Sequence, residues 1–394
     1  MRDDWSTATA SLVEECRLRA IGLLRANLGP FGIRAAAPGR MSRSRRYDAV
    51  FARDAGVCAL AMVHSGQRDL IDGARLSLVT LAHHQADNGQ IAKFVRPPED
   101  ADFWYVGCID ATLWWLIALA ALEREAPRAG QLRALRPSVE RALAWLQAQE
   151  HPRLSLLTQN EASDWADIMP RTGFVLYTNA LWYYVKRVFR LPRQRETLYH
   201  FNHLFFPFSR DIPEYRRLRL LTDYARDRAK QRDLYLSYVN FSFWGEEGDV
   251  FGNVLAILLG LATERRARGI VRALERVNID RPWPARATCI PIRAGSREWR
   301  EYMDRHQQNL VYQYHNGGSW PLIGGFWAIA QARYGDPGRA RETLVRLARA
   351  NAVNDWQFNE WFHGKTGAPC GMPGQSWSAA SFLLAYEVVA RKKL

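Results

Sequence analysis

The stretch Tyr312-Gln-Tyr-His-Asn-Gly-Gly-Ser-Trp-Pro321 is polar and aromatic at once, and it runs directly into a helical pattern over residues 321–334. A plain core helix would be apolar and a solvated loop polar; this segment is both. Its two glycines let backbone approach closely, while His315, Asn316 and Ser319 place donors and acceptors beside Trp320. Read alone, it is also a serviceable tight turn in which Ser319 or Asn316 caps the next helix. Four further stretches share the mixed character: Tyr47-Asp-Ala-Val-Phe-Ala-Arg-Asp54, Val106-Gly-Cys-Ile-Asp-Ala-Thr-Leu-Trp-Trp115, Asp164-Trp-Ala-Asp-Ile-Met-Pro-Arg-Thr-Gly173 and Phe358-Asn-Glu-Trp-Phe-His-Gly-Lys-Thr-Gly367. Each lies just before a helical pattern or within its first turns, where a rigid scaffold can hold binding residues.

Outward from these segments the spacing is helical almost everywhere. Leu12, Val13, Cys16, Ile21 and Leu24 recur every three or four positions, as do Val57, Ala61 and Val63, then Leu70, Ala74, Leu78 and Leu81. Similar runs occupy about residues 109–124, 137–149, 173–190, 214–228, 250–262, 266–276, 321–334, 338–351 and 377–391. The pattern predicts around a dozen helices joined by long loops, with strands nearly absent. No Gly/Ser/Pro-rich linker divides the chain and no fixed 20- to 50-residue repeat is evident, so a single domain over residues 1–394 is expected, with 1–40 as a peripheral N-terminal helical region. Twelve helices with aromatic loops between successive pairs suit six hairpins closed into an all-α (α/α)6 toroid around a funnel. A plain bundle or an open solenoid fits the periodicity equally well.

Composition narrows the function classes. The 394 residues are 48% hydrophobic and 24% charged, ordinary for a globular protein whose core needs no staple. Five scattered cysteines (Cys16, Cys58, Cys108, Cys289, Cys370) form no C-x-x-C, and no signal-like apolar leader is present, which points to a reducing, cytoplasmic home. No apolar run approaches the roughly 20 residues that cross a bilayer, so no membrane partner is expected. The formal charge of +14 comes from 54 basic against 40 acidic residues, but only six are lysine and the arginines are dispersed without a nucleic-acid motif, so no nucleic-acid partner is expected either. Fifteen tryptophans are many for this length; such rings fill a large core or form platforms for sugar faces.

Asp164 and Asp167 flank Trp165. An aspartate there can simply cap a turn, but a carboxyl pressed against an indole in a dry pocket holds its proton and can give it to a leaving oxygen. Glu360 sits among Trp356, Phe358, Trp361 and Phe362, either on a solvated turn or in an aromatic pocket as a base. The two carboxylates are 193 residues apart, about half the chain, which in a six-hairpin ring sets them across the funnel from one another. Facing carboxylates across a sugar-sized gap are what glycoside hydrolysis requires. Arg53 with Asp54, and Asp110 before Trp114 and Trp115, are ion pairs or hydroxyl holders. His83-His84 and His200-x-x-His203 lack matched Cys or acidic partners, so no metal is expected; phosphate-binding, dinucleotide and serine-hydrolase signatures are missing, so no cofactor is expected.

The 312–321 segment, the helix after it, and Asn-Glu360-Trp-Phe-His-Gly-Lys-Thr-Gly together resemble the C-terminal half of the alkaline/neutral invertases. Upstream, Val-Phe-Ala-Arg53-Asp54 is similar to that family's V-F-x-R-D, Val-x-x-x-Asp110-x-x-x-Trp-Trp115 to its V-D-x-x-x-W-W, and Gly173 through Trp182 to its G-Y-P-x-x-x-Q-A-L-F helix, so that the resemblance covers roughly residues 45–390. It implies a six-hairpin α/α barrel and inverting cleavage of an α-glucosidic bond, sucrose first. It further implies Asp167 as proton donor, Glu360 as catalytic base, and Arg53, Asp54, Asp110, His315 and Asn316 near the sugar. Trp165, Trp361 and the helix face Phe174–Asn179 are expected on the acceptor side, and Trp320 in the clamp with His315. The chain departs from the pattern in two places. The family's donor lies seven residues before the glycine matching Gly173, a position held here by Ala166, whereas Asp167 lies six before it. Asp164-Trp-Ala-Asp167 also resembles the D-W-N-D of inverting disaccharide phosphorylases, whose second Asp is the acid. Phe174–Asn179 replaces the family's proline and glutamine. The rival readings are an amylo-α-1,6-glucosidase-like α-glucosidase on another small glucoside, a phosphorylase in which Glu360 has no role, and a non-catalytic carbohydrate-binding protein. The expected partner is a small-molecule carbohydrate, and a homo-oligomer is compatible with the sequence.

Overall fold

The computed structural model describes residues 6–97, 100–104, 107–127, 131–208 and 216–392. Among them are fifteen helices: Thr7–Asn27 (α1), Arg40–Ser44 (α2), Ala52–His64 (α3), Arg68–His83 (α4), Ile109–Glu125 (α5), Gln131–Gln147 (α6), Leu176–Val188 (α7), Gln194–Phe205 (α8), Arg216–Arg228 (α9), Val250–Leu258 (α10), Glu264–Arg276 (α11), Glu301–His306 (α12), Pro321–Tyr334 (α13), Pro337–Trp356 (α14) and Ser376–Val389 (α15). Six of these are apolar on nearly every side. In α10 every residue from Val250 to Ile257 is buried, and in α13 every residue from Pro321 to Gln331. Helices of that kind must be enclosed by others.

They enclose one another in a ring. Helices α3, α5, α7, α10, α13 and α15 each pack against the next, and α15 packs back against α3. Around them stand helices with one apolar face: α4 against α3, α6 against α5, α8 against α7, α11 against α10 and α13, α14 against α13 and α15, and α1 against α15 and α14. Helix α4 buries Leu70, Ala74, Leu78 and Leu81, the stripe its sequence spacing predicts. Gly325 sets the approach of α13 to α15, since a Cβ there would run into the Ser381 carbonyl. The architecture is an (α/α)6 barrel.

Each of α3, α5, α7, α10 and α13 is followed within a few residues by its outer helix, and α15 enters the ring from outer helix α14 by a long connection as the others do from theirs, so the six inner helices run in one direction. The long connections (28–51, 84–108, 148–175, 206–249, 277–320 and 357–375) therefore gather at the N-terminal end of the inner ring. Small pieces of sheet knit them together. Val50–Phe51 pairs antiparallel with Phe94–Arg96, which pairs with Asp100–Asp102; Phe174–Val175 pairs with Tyr238–Val239, and Trp361–Phe362 with Pro369–Cys370.

Two expectations need correcting. The run over 214–228 is helical from Arg216, but α9 lies in a long connection and not in the barrel; residues 214 and 215 lie outside the described residues, as does Val106. The barrel position belongs to α8, whose buried stripe includes Thr197 and His200 beside Phe201, Leu204 and Phe205. Polar members hid the period. Strands are also more numerous than expected, at two or three residues each.

Candidate active site

A cavity of about 230 Å³ opens among the long connections, and Asp167, Glu360, Arg53, Asp54, Trp165 and His315 all line it. Asp167 is projected there by a turn that Asp164 builds. Asp164 is buried; its Oδ1 accepts from the Ala166 N–H (2.8 Å) and its Oδ2 from Gln159 Nε2 (2.9 Å), the self-bonded turn that aspartate favours. Burial pushes its pKa up to about 6 against the pull of buried Arg171, which lies 3.2 Å from Asp249 and 3.5 Å from Glu247. Asn309 Nδ2 donates to the carbonyls of Asp167 (2.9 Å) and Ile168 (3.2 Å), pinning the far side of the turn. The Asp167 carboxylate remains 29% exposed, 3.8 Å from Lys93 Nζ, and accepts a long hydrogen bond from the Tyr314 hydroxyl (3.4 Å).

Glu360 is held quite differently. Its backbone N–H donates to the Met372 carbonyl (2.9 Å), the Met372 N–H donates to Oε2 (2.8 Å), and the Tyr47 hydroxyl donates to Oε1 (2.8 Å). Gly371, at φ +73°, passes so close that a Cβ would strike the Glu360 carboxylate. Burial pushes the Glu360 carboxyl up to about 7 despite these hydrogen bonds, and the charges of Asp54 and Asp167 add to the rise. Asp54 is likewise pushed to about 7 by burial, with Arg53 opposing.

Behind the cavity, Arg53 Nη1 bonds both oxygens of Asp110 (3.2 and 2.9 Å), and Asp110 also accepts from the Cys108 thiol (3.2 Å) and the Tyr177 hydroxyl (3.0 Å). A fully buried pair of this kind fixes the arginine's position more than it stabilises the fold. The His315 ring lies face to face with Trp320 (4.7 Å, 6°), and Trp165 packs edge-on against it (4.5 Å, 85°). Both His315 ring nitrogens and Trp165 Nε1 are buried without a hydrogen-bond partner in the protein. Burial pushes His315 well below its usual pKa, so the ring is neutral and offers one donor and one acceptor.

Of the ten residues singled out from sequence, six line the cavity and four do not. Asp110 stands behind Arg53. Asn316 clasps loops, accepting from the Ile292 N–H (2.7 Å) and donating to the Ile292 (2.8 Å) and Asn309 (2.9 Å) carbonyls. Trp320 supports His315 from beneath, and Trp361 stacks outside Trp320 (6.4 Å). No side chain of Phe174–Asn179 reaches the cavity: Asn179 is tied to Leu157 and Val175, and Tyr177 to Asp110. Sequence reasoning passed over Arg45, Arg46, Tyr47, Lys93, Asp102, Trp104 and Tyr314, all cavity-lining. Tyr47 and Tyr314 stood inside quoted stretches; Lys93, one of six lysines, sits at a hairpin with no periodic signal. Arg46, Trp104 and Tyr314 also adopt left-handed backbone (φ +62°, +55° and +43°), a cost that tends to collect at functional sites.

The barrel and its carboxylate-lined cavity define the class of molecule: an (α/α)6 barrel with a polar site at the N-terminal end of its inner ring. Solved structures share that architecture. The GH63 mannosylglycerate hydrolase from Thermus thermophilus in complex with Tris superposes at TM-score 0.65 with 14% identity, covering 94% of this chain and 99% of that one; the same protein in complex with glucose gives 0.64. Within the class, residues 237–392 match the family described as alkaline and neutral invertase. Over 144 residues, 34% of this chain, the sequence is 32% identical to the Arabidopsis thaliana protein named probable alkaline/neutral invertase D and 30% identical to cytosolic invertase 1 of Oryza sativa subsp. japonica. The matched stretch spans about a quarter of those relatives' length (25% and 24%).

Proposed function

We propose that the protein is a glycoside hydrolase that cleaves a small α-glucoside with inversion, sucrose being the first candidate. The observation that carries this reading is that Asp167 and Glu360, from opposite halves of the sequence, line one cavity with contrasting surroundings. Asp167 gives a proton to the glycosidic oxygen while Glu360 takes one from the water that attacks the opposite face of the sugar. A pKa of about 7 poises Glu360 as a base near neutrality. The part-exposed Asp167 carboxyl faces the cavity, within reach of a glycosidic oxygen bound there. Arg53, Asp54 and neutral His315 supply the hydroxyl contacts. The invertase-like stretch contains Glu360 and His315, and a structural neighbour binds glucose in the same fold. Cytoplasmic action goes with this proposal: no helix among the described residues is long and apolar enough to cross a membrane, and one relative is named a cytosolic invertase.

The test is incubation of the purified protein with sucrose and a panel of α-glucosides, with and without phosphate, following the first-formed sugar by proton NMR. β-Glucose is expected to appear first and to need no phosphate. A first-formed α anomer would make Glu360 a nucleophile, and strict phosphate dependence would make the protein a phosphorylase.

Tyr47 tunes the base. Its hydroxyl stabilises the Glu360 anion, so Tyr47→Phe is expected to move the acidic limb of the kcat/KM–pH profile upward by about one unit, the worth of one hydrogen bond to a charged group. An unmoved limb would show that Glu360 does not govern it.

A further inference from the structure

We infer that the leaving half of the substrate is anionic, carrying a carboxylate or a phosphate that Arg45 and Arg46 hold at the mouth of the cavity. This rests on the glycosidase reading and, within it, puts an anionic α-glucoside ahead of sucrose as the substrate of that same site. The sequence over residues 40–46 is Arg-Met-Ser-Arg-Ser-Arg-Arg, four arginines without an acidic residue, immediately before Tyr47, which touches the proposed base. Arg45 and Arg46 line the cavity and are exposed, which places them at its rim. Among the described residues no carboxylate pairs with any of the four. The other two cations lining the cavity are matched: Arg53 by Asp110 at 2.9 Å and Lys93 by Asp167 at 3.8 Å.

The unmatched arginines are not on a loose tail. Backbone bonds from Arg46 N–H to the Arg43 carbonyl (3.2 Å) and from Tyr47 N–H to the Ser42 carbonyl (2.8 Å) fix the segment, with Arg46 in the left-handed region. Nor do they serve to neutralise the acids of the site, since Asp54 and Glu360 both remain near 7. Two adjacent guanidinium forks exceed what neutral hydroxyls require, but they match the planar carboxylate or the phosphate that such forks bind bidentately. The cavity, at about 230 Å³, is smaller than the roughly 300–1,000 Å³ of sites for drug-sized ligands. A glycosyl ring fills it and the leaving group lies at the rim, beside the arginines. The surplus of 14 positive charges over the whole chain favours approach of anions to the protein in general.

Three α-glucosides that differ only in the leaving half decide the matter: sucrose, sucrose phosphorylated on its fructosyl half, and α-glucosyl glycerate. At least one anionic substrate is expected to exceed sucrose in kcat/KM by about tenfold or more. That ratio should shrink as salt rises from about 20 to about 300 mM and collapse in Arg45→Gln/Arg46→Gln. A preference for the glycerate compound assigns a carboxylate, and for the phosphorylated sugar a phosphate. Sucrose as the best substrate, or a double variant that lowers all three rates equally, overturns the inference. If neither these three nor the wider α-glucoside panel is hydrolysed, the glycosidase reading fails by itself. Calorimetry with D-glycerate and with inorganic phosphate then decides the anion site: binding to the wild type that is lost in the double variant supports it, and no binding to the wild type overturns it.

Discussion

Asp167→Asn is expected to lower kcat on the natural glucoside by about three to four orders of magnitude, the upper range for a lost proton donor, while substrate binding measured by calorimetry persists. The amide keeps the shape of the side chain and can still accept from Tyr314, but it has no proton to give. Asp164→Asn is the informative partner. Asp164 faces the backbone of its own turn and Gln159, not the cavity, so its amide variant disturbs the placement of Asp167 and costs far less. Should Asp164→Asn cripple the enzyme while Asp167→Asn stays mild, the acid is Asp164, three residues earlier in the turn.

Glu360→Gln is expected to abolish hydrolysis to a similar degree and, at the same time, to make the protein more stable at alkaline pH. Burial raises the carboxyl from its ordinary 4.5 to about 7, so between those values the folded state holds a proton that the unfolded chain has released. Stability therefore falls as pH climbs through that window, and above it the fold carries a buried charge at a cost of about 3 kcal/mol. Glutamine removes that charge and can still accept from the Met372 N–H. Thermal melts should show little difference between variant and wild type near pH 4, and a gain of a few degrees for the variant at pH 8. An equal gain at both pH values would mean that packing, not ionisation, is responsible. Loss of activity coupled to a rise in Tm is the mark of a residue kept for chemistry at the fold's expense.

How far the sequence could be read follows from what each signal measures. Helix α13 is bounded in the sequence as in the structure because Pro321 occupies its first turn and Gly335 follows its last residue, both local signals. Helix α8 escaped because Thr197 and His200 are buried in its stripe, and burial of a polar residue is decided by distant neighbours: Thr197 donates to the Ser155 carbonyl (2.9 Å). At the site, the carboxylates and their aromatic surroundings announced themselves by type. Their partners did not. Tyr47 and Glu360 are 313 positions apart, and nothing local marks them as bonded. Asn316 shows the converse, since a sugar clamp and a loop clasp ask for the same side chain beside the same glycines, and only the carbonyls of Ile292 and Asn309 tell them apart.

Because the inner ring is closed, its seam has a place in time. Synthesis delivers α3 first and α15 last, and the seam between them is sewn by the Ser376 N–H on the Ala35 carbonyl (2.8 Å) and by Asn27 Nδ2 on the Gly374 carbonyl (2.9 Å) and Ser376 Oγ (2.8 Å). Until α15 has been made, the other five inner helices have no partner to close the ring. Glu360, carried on the connection just before α15, has no settled Tyr47 to meet. The two proposed catalytic carboxylates therefore share a cavity only once parts of the chain more than 300 positions apart, such as Tyr47 and Glu360, have paired, and contacts so distant in sequence are the costly ones to close.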